Sequence, residues 1–252
     1  MSGIERPPRA SPGVTSLSDD LQILTTGEVE VLGRLPYSSN YTFLSRLRDA
    51  DEEIHAVYKP ARGERPLWDF APGTLAARER AAFLLSDVAG WDLVPPTVLR
   101  DDAPLGRGSL QLFIEHDPEV HYFTLMHDRL DELAAFAAFD AVANNADRKS
   151  GHVLEDGSGR LWAVDHGLTF HVDDKLRTVI WAFADEPLTK EVRRVLEGLG
   201  AALSDEGPLG RELASVLTPE EAAATLGRVE TLLVEDRFPA PGTDRPLPWP
   251  LI

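Results

Sequence analysis

The sequence predicts an α+β fold of two lobes: a small N-terminal lobe built on an antiparallel sheet with one helix, then a larger, mainly helical C-terminal lobe. Two observations predict it. Strand-like stretches with period-two alternation, divided by turns, fill most of residues 21–60, whereas beyond Asp128 most apolar residues fall at helical spacing. The change falls between Glu115 and Asp128, so the expected units are an N-lobe over 21–115 and a C-lobe over 116–237. At 252 residues the chain can bury a sizeable core without disulfides or a structural metal.

The elements follow in order. MSGIERPPRASPGVTSLSDD has no apolar centre and holds several Pro and Ser, so residues 1–20 read as a flexible leader and not as a signal peptide. Residues from Leu21 onward read as strands and turns. Alternation is clean from Glu28, with Val29 and Val31 set against Glu28 and Glu30. YTFLSRLR and EIHAVYKP repeat it across a turn at Asp51-Glu52. Thr74, after Pro72-Gly73, is placed to cap a helix carrying Leu75, Arg78, Glu79, Ala82 and Leu85, with Gly90 beyond its end. VPPTVL and SLQLFIE then read as strands. In the second half, DELAAFAAFDAVANN is an Ala-rich helix. HVLED and RLWAVD form a hairpin about Asp156-Gly157. Thr189–Gly200 is an amphipathic helix. Thr218-Pro219-Glu220-Glu221 is a capping box opening a helix with Leu226, Val229 and Leu233 on one face. Phe238–Ile252 carries five prolines and reads as an extended tail, with Trp249, Leu251 and Ile252 available to pack on the body.

Composition narrows the function. With 42 acidic and 25 basic side chains the formal charge is −17, which disfavours nucleic acid as a partner and docking by charge on an anionic membrane. The chain has no Cys, which excludes disulfides, thiolate catalysis and Cys-ligated metals. No run reaches the ~18–20 apolar residues of a membrane span, so the expected location is the cytoplasm, without stable membrane insertion.

The densest polar cluster is Asn144-Asn145-Ala146-Asp147-Arg148-Lys149-Ser150-Gly151-His152, at the end of an apolar helix. Asp165 ends an apolar strand thirteen residues after His152 and is followed by His166-Gly167. Two acids on loops flanking a short hairpin can converge on one point. Phosphoryl transfer needs one Asp to orient or deprotonate a hydroxyl, a second on a divalent cation, and a polar side chain sharing that cation. In the N-lobe, Lys59 ends a strand and Glu79 lies on the one helix, a pairing suited to holding phosphates. The turn Leu35–Tyr41 carries Ser38 and Ser39, whose hydroxyls and backbone N–H groups can lie over phosphates, although its tip has no Gly.

The order Lys59, Glu79, Asp147, Asp165 resembles the phosphatidylinositol 3-/4-kinase-like superfamily, nearest to its type II 4-kinase branch and to a bacterial PI3/4-kinase-like family. ARERAAFLLSDVAGWDLVPPTVL looks like that branch's helix and following strand, FDAVANNADR like its catalytic loop, and AVDHGLTF like its metal-binding segment. The likeness runs from about Gly27 to Phe170. It implies a protein-kinase-like fold and ATP-dependent transfer of the γ-phosphate to a hydroxyl. Carried over, Lys59 contacts phosphate and Glu79 holds Lys59. Asp147 is the catalytic Asp, with Asn145 and Arg148 supporting its loop. Asp165 binds Mg²⁺, Ser38 and Ser39 lie over the phosphates, and Gln111, Phe113, Ile114 and Glu115 belong to the hinge beside adenine. One position departs. Where the family carries an Asn as second metal ligand, this chain has His152. Three consequences stand open: a softer ion such as Mn²⁺, a direct phosphate contact by His152, or weak or lost catalysis. Lys149, beside Asp147, is a cation able to neutralise a transferred phosphoryl group.

Each residue also has an ordinary structural explanation. Arg148 can be a helix-end ion pair, Glu79 a solvated helix face, and Lys59 a strand-edge charge. His121, His127 and His171 lack ligand spacing and read as structural. Trp68, Trp91, Trp162 and Trp181 read as core. The segment after Asp165 sets Lys175 and Arg177 against Asp173, Asp174, Asp185 and Glu186, which is not an anionic-headgroup site. The expected acceptor is therefore a protein or small molecule before a phosphoinositide. The alternative is a pseudokinase or nucleotide-dependent binding module without turnover.

Overall fold

In the computed structural model, which describes residues 17–36, 40–204, 207–242 and 245–252, a helix precedes the first strand. This helix, α1 (Leu17–Thr26), occupies a stretch read from sequence as leader and strand. Asp20, Ile23 and Leu24 are buried, a helical spacing. The apolar run LQILTT is too short to separate helix from strand by periodicity alone. What decides it is the sheet below: Ile23 and Leu24 cluster with Leu47, Ile54, Ala56, Tyr58, Val98 and Leu110. Leu24 is fully buried, so Leu24→Ala is expected to cost about 2–4 kcal/mol, read as a lowered denaturation midpoint. An unchanged midpoint would show that α1 is not docked.

Five antiparallel strands follow: β1 (Glu28–Arg34), β2 (Phe43–Asp49), β3 (Glu52–Pro60), β4 (Thr97–Arg100) and β5 (Gly108–Leu112), ordered β1-β2-β3-β5-β4. Along β3, Ile54, Ala56 and Tyr58 face α1, so the strand pleat turns Val57 and Lys59 to the opposite face. Lys59 pairs with Ser109 of β5. The next residue down that strand must be glycine, because a Cβ at Gly108 would lie 2.5 Å from the Lys59 carbonyl oxygen.

Between β3 and β4 runs α2 (Leu75–Val88). Thr74 does not cap it; its hydroxyl donates to the Ala71 carbonyl, and Glu64 Oε1 instead accepts the Ala76 N–H at 3.1 Å. This helix is buried on nearly every side. Arg78 and Glu79 are both buried, so neither belongs to a solvated face.

The C-lobe contains α3 (Tyr122–Leu125), α4 (Leu130–Ala143), the hairpin β6 (Val153–Glu155) and β7 (Leu161–Ala163), α5 (Lys190–Ala202), α6 (Pro208–Leu213) and α7 (Pro219–Glu235). Phe136, Phe139, Leu133 and Val142 of α4 sit in the largest core with Leu196 and Leu199 of α5 and Val229 and Leu232 of α7. The capping box at α7 forms as expected: Thr218 accepts the Glu221 N–H, and Glu221 accepts the Thr218 N–H. Glu221 also pairs with Arg78, whose other nitrogen donates to the Thr169 carbonyl at 2.5 Å, tying α2 to the C-lobe.

Among the described residues, the tail from Phe238 has no helix. Phe238 is buried, Leu251 packs on the main core, and the Pro246 carbonyl accepts from the Thr178 N–H and from Trp181 Nε1. Trp249 and Ile252 are exposed, so of the three residues expected to pack only Leu251 does so. Trp68 also departs from expectation. It lies on the Pro-containing loop before α2, where no strand or helix covers it, and is 90 % exposed with Lys175 Nζ 4.8 Å above its ring centre.

Candidate active site

Lys59 is the centre of the site. Its Nζ lies 2.5 Å from Glu79 Oε1 of α2 and 2.7 Å from Asp165 Oδ1, in the loop after β7. A single ammonium thus joins the sheet, the N-lobe helix and the C-lobe. Burial alone would depress the Lys59 pKa; the charges of Asp165 and Glu79 outweigh it and hold the value above that of an ordinary lysine. The Lys59 charge, in turn, holds the Asp165 carboxyl well below the usual carboxylate range despite desolvation.

Asp165 adopts a left-handed backbone, φ 61°, which a non-glycine residue takes up only where its surroundings impose it. The two flanking peptide groups show how. The Val164 carbonyl accepts from Arg148 Nη1 at 2.9 Å, and the His166 N–H donates to Glu79 Oε2 at 3.0 Å. The Asp165 side chain remains half-exposed, with Oδ2 free of Lys59 and 3.4 Å from His152 Nε2.

The loop bearing Asp147 is held from below by a buried carboxylate. Asp140 of α4 accepts from Arg148 Nη2 at 2.9 Å, from Asn145 Nδ2 at 3.0 Å and from the Thr178 hydroxyl at 3.0 Å. Arg148 and Asp140 are both fully buried. Arg148 also donates to His166 Nε2 at 2.8 Å; guanidinium cannot accept, so His166 carries its proton on Nδ1. Burial keeps that ring neutral, far below the ordinary histidine pKa. Asn145 Oδ1 accepts the Asp147 N–H at 3.0 Å. Asn145 and Arg148, named from sequence with the catalytic set, are therefore beneath the surface and can only position Asp147 and Asp165.

Asp147 itself is partly exposed, with Lys149 Nζ 3.1 Å from Oδ2. Desolvation raises its pKa and the Lys149 charge pulls it back. Asn144, the left-handed C-cap of α4, donates to the His171 and Asp173 carbonyls and accepts the Lys175 N–H, so it ties down the segment after Asp165. Lys175 is engaged by Asp69 at 3.0 Å as well as by Trp68, and is not a free cation for an anionic headgroup. His171 bonds to the Asp69 carbonyl and the Asp173 N–H, in keeping with a structural role.

No protein-family model matches the chain. It is 39% identical to Protein Rv2133c of Mycobacterium tuberculosis (strain ATCC 25618 / H37Rv), over 94% of this chain and 97% of that protein. The chain belongs to the Rv2133c family. A more distant match, 30% identical, is to Phosphatidylinositol 4-kinase gamma 4 of Oryza sativa subsp. japonica, over 51% of this chain but only 26% of the plant protein. The likeness to phosphatidylinositol kinases is thus present in sequence. Among solved structures, the Golgi casein kinase with Mn/ADP bound superposes with a TM-score of 0.57 over 87% of this chain and 75% of that one, at 15% identity. The Rv2133c-family chain has a two-lobed, kinase-like α+β fold.

In this family member the residues named from sequence divide into four groups, of which buried Asn145 and Arg148 are one. Lys59, Glu79 and Asp165 are in direct contact, His152 Nε2 lies 3.4 Å from Asp165, and Asp147 is near enough to Asp165 to feel its charge. Of the four residues expected at the hinge, three bond or pack within the protein. Gln111 is buried with its amide on the Thr97 hydroxyl, the Phe113 N–H pairs with the His55 carbonyl, and Ile114 packs with Leu154 and Trp162; Glu115 is exposed. Ser38 and Ser39 lie outside the described residues. Sequence reasoning missed Asp140, Thr178 and His166. Asp140 had a signal, since it is the one acid inside the apolar run AAFAAFDAVA. Thr178 and His166 had none, because their partners are long-range.

Proposed function

We propose that the protein is an ATP-dependent phosphotransferase. The observation that carries the reading is the Lys59 ammonium held between Glu79 and Asp165, brought together from β3, α2 and the loop after β7. Glu79 is buried and its second oxygen is fixed by the His166 N–H, so it presents Lys59 in one orientation. Lys59 is then a fixed positive charge for the nucleotide phosphates. Asp165, half-exposed and ionised, is an oxygen donor of the kind Mg²⁺ or Mn²⁺ takes. The cation would neutralise phosphate charge. The acceptor hydroxyl oxygen attacks the γ-phosphorus, the bond to the bridging oxygen breaks, ADP leaves, and the hydroxyl proton passes to Asp147. Asp147, its pKa raised by burial, suits that proton-accepting role.

The acceptor is a hydroxyl of a protein or small molecule before a phosphoinositide. Lys175 is spent on Asp69 and Trp68, and the neighbouring Asp173 is exposed, which is unsuited to an anionic lipid headgroup. No helix among the described residues is long and apolar enough to cross a membrane.

The test is thermal stability with ATP and a divalent cation. A ligand at ~100 times its Kd adds about 2.7 kcal/mol, and at ~2–4 °C per kcal/mol the midpoint should rise roughly 5–10 °C. Lys59→Met and Asp165→Asn, each compared with its own ligand-free midpoint, are expected to lose the rise. No rise in the wild type at saturating ATP with either metal would remove the proposal. A rise without transfer to any hydroxyl acceptor would favour nucleotide-dependent binding.

A further inference from the structure

We propose that His152 serves the nucleotide site as a hydrogen-bond donor to phosphate and not as a metal ligand, so that the site takes one divalent cation, on Asp165. The inference rests on the nucleotide reading above.

It begins with the imidazole's other nitrogen. His152 closes a single 3₁₀ turn, Ser150–His152, that folds its ring back over the loop. Its Nδ1 accepts the Lys149 backbone N–H at 3.4 Å. A backbone N–H only donates, so Nδ1 holds the lone pair and the neutral ring carries its single proton on Nε2. That N–H faces the side of Asp165 left free by Lys59. Its contact with Oδ2, at 3.4 Å, is a long one that a phosphate oxygen can displace.

Metal ligation reverses these requirements. For Nε2 to offer a lone pair, the proton must move to Nδ1, where it would oppose the Lys149 N–H, donor against donor. An unmatched buried donor of this kind weakens binding by about ten- to a hundredfold. An Asn in this place would present a carbonyl oxygen without that conflict, and oxygen is what Mg²⁺ prefers.

The surrounding charges agree. The carboxylates facing this space, Asp147 and Asp165, each already have a lysine, Lys149 at 3.1 Å and Lys59 at 2.7 Å. A second dication would enter beside the Lys149 ammonium, which already pairs with Asp147. An N–H donor and an ammonium, by contrast, are what phosphate oxygens accept from.

The experiment is manganese binding to the full chain with saturating non-hydrolysable ATP analogue, counted by the electron paramagnetic resonance signal of free Mn²⁺. The expected result is one Mn²⁺ per bound nucleotide, and no histidine hyperfine coupling in protein labelled with ¹⁵N-histidine. His152→Asn is expected to bind a second Mn²⁺. Two Mn²⁺ per nucleotide in the wild type, or a ¹⁵N coupling from histidine, would overturn the inference and leave the phosphotransferase reading standing. The wild-type coupling measurement decides even if the variant does not fold. Failure of the analogue to bind at all, read by calorimetry, would overturn both.

Discussion

Asp147→Asn is expected to lower phosphoryl transfer by about 10²–10⁴-fold while leaving the nucleotide-induced rise in denaturation midpoint intact. The amide is isosteric and keeps its place, because the loop is fixed by groups other than the Asp147 carboxylate: the Asp147 N–H on Asn145, and Asn145 and Arg148 on Asp140. Only the proton-accepting oxygen is lost. The ion pair to Lys149 goes with it, but that pair is partly exposed and contributes little to stability. The measurement is ADP formed per enzyme together with phosphate incorporated into acceptor. A variant transferring at the wild-type rate would show that Asp147 is not the base. A variant that also loses the nucleotide-induced rise would show that Asp147 belongs to binding instead.

Arg148→Met is expected to be the most damaging change to the fold at this site. It leaves the Asp140 carboxylate fully buried without its cation, for which the cost is about 3–5 kcal/mol. At ~2–4 °C per kcal/mol the denaturation midpoint should fall by roughly 6–20 °C. The same substitution frees the Val164 carbonyl and His166 Nε2, so Asp165 loses one of the two clamps that impose its left-handed backbone. Nucleotide binding should weaken along with stability. Replacing both partners, Arg148→Met with Asp140→Leu, is expected to recover much of the stability, since an apolar pair of similar volume avoids the stranded charge, but not the nucleotide affinity. A single-variant midpoint within a degree or two of wild type would show that the buried pair is not the anchor.

These expectations separate two kinds of arginine and acid that look alike in the sequence. Asp147-Arg148 reads as one motif, yet the two side chains point to different places. Arg148 goes down into the protein, and Asp147 stays where a substrate can reach it. No local pattern distinguishes them, because the direction is set by a carboxylate eight residues earlier and by carbonyls from the other side of the hairpin. Glu79 teaches the same lesson. In LAARERAAF it could face solvent, and its burial follows from α2 being enclosed by the sheet and the C-lobe.

What the sequence alone determined is what short-range physics encodes. Period-two alternation marked β1, β2 and β3, the Ala-rich run marked α4, Asp156-Gly157 marked the β6–β7 turn, and Thr218–Glu221 marked the start of α7. The order of Lys59, Glu79, Asp147 and Asp165 along those elements was legible too, and with it the kinase-like fold. The tertiary structure decided what depends on contacts between distant residues. It turned LQILTT into a helix because the sheet's outer face needed a cover. It joined Lys59 to Asp165 across 106 positions. It placed Asn145 and Arg148 beneath the site. It also fixed which nitrogen of His152 bears the proton, through a hydrogen bond from a backbone N–H that no pattern of side chains records. Periodicity and capping act over a few residues and survive in one dimension. Burial, ion pairing and tautomer are set by groups brought together only when the lobes close on one another.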